Sequence, residues 1–109
     1  MAWLLRSGQV LASVELASSP LERARGFIGR ADARCAVLLR PSRTAHTLGV
    51  RVPLDVAFLD EHLVVLATVR MAPFRLGLPR RGAAAVLEVP AGAFERWGLV
   101  PGDRLEVRG

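Results

Sequence analysis

A mostly β fold of the α+β kind, a small curled antiparallel or mixed sheet shaped like a barrel or sandwich and carrying two short helices, is what this sequence predicts. Three observations carry that expectation. Apolar and polar residues alternate with period two in several stretches, as half-buried strands require. The breaks between those stretches are short turn signals, so strand follows strand. Neither helix-forming stretch is long enough to bridge the parallel strands of a doubly wound fold. With 109 residues, 51% hydrophobic and 23% charged, the chain is read as one domain spanning residues 1–109.

The elements follow in order. Ala2 to Leu5 forms a strand, and Ser7-Gly8 suits a hairpin turn into a second strand. There Val10, Ala12, Val14 and Leu16 alternate with Gln9, Ser13 and Glu15. Ser19-Pro20-Leu21-Glu22 places a capping serine, a proline at the first helical position and a glutamate three residues after the cap, so a helix starts there. Leu21, Ala24 and Ile28 make its inner face, and Gly26 or Gly29 ends it. Cys35 to Leu39 reads as a buried strand closed by Pro41-Ser42. Val52, Leu54, Val56 and Phe58 then share one face of a strand, with Arg51, Asp55 and Ala57 on the other.

Asp60-Glu61-His62 turns into Leu63 to Val69, whose nearly continuous apolar character predicts a central strand covered on both faces. Met71 to Gly82, rich in proline, glycine and arginine, is a long surface loop. Ala83 to Val89 resumes as a strand. Pro90 opens a second short helix with Phe94 and Trp97 inward, capped by Gly98 with Leu99 closing the contact. Pro101-Gly102-Asp103 turns into a last strand in which Leu105 and Val107 face the core. Trp3 and Trp97 are core candidates.

All 15 basic residues are arginine, giving a formal net charge of +5. Their longest run is Arg80-Arg81, so a solvated surface is the simpler reading and nucleic acid is not an expected partner. Cys35 is the one cysteine, which rules out an intrachain disulfide and asks for no oxidising compartment. The chain opens without the pattern of a secretory leader, and the run Leu63 to Ala67 is far too short to span a bilayer; a cytoplasmic protein is expected.

One cysteine and two histidines, at 35, 46 and 62, form no zinc-ligand pair, and no phosphate-cradling glycine loop or nucleophile elbow is present; neither metal nor cofactor is expected. The one polar constellation is Arg43-Thr44-Ala45-His46-Thr47, which leads through Gly49 to Pro53-Leu54-Asp55. A histidine paired with a carboxylate serves acid–base chemistry or ligand binding. A histidine that pins a loop is the simpler reading, no third group or nucleophile being identifiable, and the aspartate equally suits accepting backbone amides beside Pro53.

Four blocks in sequence extend this reading: Glu22 to Arg30, His46-Thr47 with Pro53 to Phe58, Val86 to Gly92, and Gly98 to Asp103. In this order the chain resembles the domain-of-unknown-function 192 family from about Leu16 to its C-terminus. The resemblance implies a β-rich fold with short helices, found in bacteria and archaea, and no settled activity. Before the Pro-Leu-Asp block the family's usual segment is of Trp-Met-Lys-Asn-Thr type; His46-Thr47-Leu48-Gly49 is similar to a second, His-Thr version. The resemblance implies a secretion or lipoprotein leader in many relatives, and from the opening residues none is expected here. The positions matching the family's polar signature are Arg25, Arg30, His46, Thr47 and Asp55, the candidate ligand-binding site.

The leading expectation is a non-enzymatic binding or accessory domain that offers these residues to a small polar or anionic ligand or a protein partner. One alternative is a small hydrolase or lyase using a His46/Asp55 pair. Another is non-specific nucleic-acid binding through the arginine surface.

Overall fold

Turn chemistry lays down the first hairpin. Ser7 and Gly8 both take positive φ, 52° and 78°, the combination a two-residue turn needs to match the twist of its strands. It joins β1 (Ala2–Arg6) to β2 (Gln9–Ala17), with Arg6 opposite Gln9. The computed structural model describes residues 2–28 and 35–109. The remaining elements are α1 (Pro20–Arg25), β3 (Cys35–Leu39), β4 (Leu54–Leu59), β5 (Val65–Met71), β6 (Ala85–Pro90), α2 (Ala93–Trp97) and β7 (Glu106–Arg108).

These strands make one mixed sheet in the order β5-β4-β6-β3-β2-β1-β7. Only β2 and β3 run parallel, and the connection between them contains α1. The sheet curls until its two ends approach. Val64 bridges Arg104, Val65 N–H donates to Asp103 O at 2.8 Å and Leu105 N–H to Leu63 O at 2.9 Å, yet β5 and β7 do not pair as strands, so the sheet is not closed.

Period-two alternation gives this sheet two buried faces. The concave interior gathers Leu4, Val14, Leu38, Leu59, Val65, Leu87 and Leu105, with Ala93 and Phe94 of α2. The convex face carries Val37, Leu54, Val56, Phe58, Met71 and Val86, covered by Phe27 and by Ala45 and Val50 of the 40–53 connection. Both caps foreseen in the sequence are built. Ser19 Oγ accepts from Glu22 N–H at 3.1 Å while Glu22 Oε1 accepts from Ser19 N–H at 3.0 Å. Gly98 ends α2 in the left-handed region at φ 63°, and Leu99 N–H returns to Phe94 O at 2.9 Å.

Several expectations need correction. The strand after Asp60 is an outer strand with alternating exposure; the strand buried along its whole length is β4, flanked by β5 and β6. An apolar run alone does not say whether both edges are paired. Leu21 is 82% exposed, and the residue anchoring α1 is Phe27, just beyond it, at 2%. Val10, Leu16 and Val52 are exposed, as is Trp3, while Trp97 is half-buried against the interior. Pro90 ends β6 instead of opening the helix.

Candidate functional site

Asp55 sits on β4 opposite Arg70 of β5 and Val89 of β6, on the concave side, and is 4% exposed. Its Oδ1 accepts from Arg70 Nε at 3.2 Å, and its Oδ2 from the Gly92 and Phe94 amides at 2.8 and 3.2 Å. The N-cap of α2 is Gly92, which has no side chain to satisfy the first-turn amides; Asp55 supplies that acceptor from the neighbouring strand.

His46 belongs to the opposite side of the sheet. Its Nδ1 accepts from Leu48 N–H at 3.2 Å, which leaves Nε2–H to donate to Ala24 O of α1 at 2.7 Å. Both ring nitrogens are thereby used in holding the 45–49 turn against the helix. His46 and Asp55 have separate partners on separate faces, and the acid–base pairing entertained from the sequence is not formed. Arg25 is exposed, its Nε donating to Ile28 O at 3.2 Å. Arg30 lies outside the described residues.

Thr47 is fully buried and every polar atom it has is used. Its N–H donates to Arg75 O at 2.8 Å, its hydroxyl to Ala72 O at 2.6 Å, the same oxygen accepts from Arg75 N–H at 2.8 Å, and its carbonyl accepts from Phe74 N–H at 2.8 Å. Around it, residues 43–47 run antiparallel to 75–80: His46 bridges Leu76, Gly77 N–H donates to Ala45 O at 2.9 Å and Arg80 N–H to Arg43 O at 2.9 Å. The long surface loop is therefore a ribbon tied along its length.

That ribbon forms one wall of a cleft of about 730 Å³ whose other wall is Phe58 of β4 with Val69 and Met71 of β5. Arg75, Arg80 and Arg81 border it, with the Arg80 guanidinium 5.1 Å from the centre of the Phe58 ring, and among the described residues no Asp or Glu lines it. Arg70 also borders it, but its Nε is held by Asp55 on the other face. A second cleft of about 680 Å³, at the seam between the sheet ends, mixes Glu61 and Glu106 with Arg40, Arg104 and the exposed His62. Its charges offset one another.

Sequence reasoning missed two things. One is the arginine cleft, although a signal existed: from His62 to Leu87 the chain has four arginines and no Asp or Glu. The other is Glu88, 1% exposed on β6 between Val37 and Val56. A Cβ at Gly26, whose φ is +49°, would come within 2.9 Å of Glu88 Oε1, so the glycine of the first block gives a buried carboxylate its room. Among the described residues no group of three His, Cys, Asp or Glu side chains is placed to hold a metal ion, and no helix is long and apolar enough to cross a membrane.

A family model, DUF192, described as uncharacterized ACR, matches residues 3–107. A UPF0127 protein of Pyrococcus abyssi is 29% identical over 98 residues, 85% of this chain and 84% of that one. Another, of Pyrococcus furiosus, is 28% identical over 103 residues, 90% and 89% of the two chains. Among solved structures, a protein of unknown function from Novosphingobium aromaticivorans superposes with a TM-score of 0.80 at 25% identity, covering 96% of this chain and 82% of that one. A protein of Sinorhizobium meliloti described as a candidate transcription regulator gives 0.82 at 27%, covering 97% and 91%.

Proposed function

This chain belongs to the DUF192 family, and we propose that it is a non-enzymatic binding domain whose ligand is an anion held in the cleft between β5 and the 75–81 ribbon. The observation that carries the reading is the convergence of Arg75, Arg80 and Arg81 on one concavity that, among the described residues, is lined by no Asp or Glu. Guanidinium forks suit carboxylate and phosphate oxygens, and aromatic and apolar walls beside them lower the dielectric in which they act. Of the residues singled out by sequence, Thr47 and His46 support the site by holding its ribbon and Asp55 by anchoring Arg70 on the strand beside it, while Arg25 braces the turn after α1. Binding is favoured over catalysis because His46 and Asp55 are consumed by structural bonds on separate faces. Residence in the cytoplasm of a bacterium belongs to the same proposal; a lone Cys35 needs no oxidising compartment.

Calorimetric titration with phosphate, citrate and a short DNA duplex tests it. The expected result is saturable binding of a small anion that the pair Arg80→Gln/Arg81→Gln weakens by roughly tenfold or more, since charge-assisted hydrogen bonds contribute about 1.5–3 kcal/mol each. Binding of DNA alone, falling steeply with salt, would contradict it.

A further inference from the structure

Beside the cleft lies the most concentrated exposed apolar surface among the described residues. Phe74, Leu76 and Leu78 are 59%, 75% and 86% exposed within five positions. The segment is tied down by the Phe74, Gly77 and Arg80 amides and by Thr44 Oγ1 on Gly77 O at 2.9 Å, so this exposure is presented by an ordered ribbon. Gly77 itself is pressed against the paired strand, where a Cβ would stand 2.6 Å from Ala45 O, and Leu76 and Leu78 flank that contact. Arginines surround them: Arg75, Arg80 and Arg81 on the ribbon and Arg43 on the strand paired with it. Both strands come from stretches without Asp or Glu, residues 33–54 and 62–87.

From this juxtaposition we infer that the 74–81 ribbon docks on an anionic lipid surface, with Phe74, Leu76 and Leu78 entering the acyl boundary and the guanidiniums meeting headgroup phosphates. The inference rests on the anion-binding reading of the cleft and names the source of the anion. Leu76 and Leu78 edge the cleft yet leave most of their surface uncovered by their own protein, and an apolar medium beside charged headgroups accepts such side chains. The arginines lie beside them in sequence and in space, where phosphate headgroups would be when the leucines are immersed.

Co-sedimentation of the full chain with vesicles of phosphatidylcholine, with and without phosphatidylglycerol, tests this, alongside amide spectra recorded with inorganic phosphate. The expected result is binding to the anionic vesicles alone, lost on adding salt, and reduced by roughly tenfold in Leu76→Ser/Leu78→Ser. That variant is expected to keep its unfolding temperature, the side chains being exposed. Phosphate shifts without vesicle binding would overturn lipid docking and leave the anion site standing; loss of both would overturn both. Capture of a glutamate-rich peptide, unaffected by the leucine variant and without vesicle binding, would overturn it in favour of a protein partner.

Discussion

Three bonds converge on the Asp55 carboxylate, two of them from amides at the start of α2. Asp55→Ala is expected to lower stability by about 1–3 kcal/mol, the cost of leaving buried donors unmet, and Asp55→Asn by less because its amide oxygen still accepts. Chemical denaturation checks both. Asp60 does a similar task in the open: its Oδ1 accepts from the Val64 amide at 2.9 Å and the His62 amide at 2.8 Å. Those bonds, the Val64 amide first, hold its pKa below the ordinary carboxylate value. The resulting stabilisation is therefore in place above the unfolded pKa and lost as pH falls through the lower folded one. Asp60→Asn is expected to flatten the acid limb of a stability-against-pH curve, and a limb left unchanged would assign acid sensitivity to another carboxylate. The sequence showed that Asp55 and His46 were polar residues set in apolar surroundings; it could not show that each had backbone partners distant along the chain.

At the scale of elements, local signals were legible where a single turn decides the outcome. Ser19 with Glu22 and Gly98 with Leu99 are capped as their spacing implies. Position within the sheet was not, because strand order depends on pairings across the whole chain: Leu63 to Val69 reads as central, yet β5 has one strand neighbour along most of its length. The ribbon 75–80 was equally hidden, its bonds to 43–47 being backbone bonds that carry no side-chain pattern. Two glycines test these elements. Gly26→Ala meets both a positive φ and Glu88 Oε1, and a loss of about 1–3 kcal/mol is expected. Gly77→Ala presses on backbone at 2.6 Å and is expected to displace the ribbon and weaken anion binding while the barrel-like core persists, as seen by near-unchanged far-UV circular dichroism.

Seen as a whole, the molecule is a curled sheet with two buried faces, and its candidate residues are divided between them. Leu87 and Val89 point into the concave interior while Val86 and Glu88 lie on the convex side, so Leu87→Ala is expected to cost about 2–5 kcal/mol through the interior alone. The fold class followed from periodicity because a sheet's faces are local properties of each strand. The arginine cleft did not, because its walls come from β4, β5 and a ribbon pinned by Thr47, brought together only by folding. The central claim is that the His46-Thr47 motif holds an anion cleft in place and is not itself the contact surface. Amide shifts mapped residue by residue during titration with inorganic phosphate test it most directly: changes centred on Arg75, Arg80, Arg81 and Phe58 are expected, whereas changes centred on His46 and Asp55 with the arginines unmoved would contradict it.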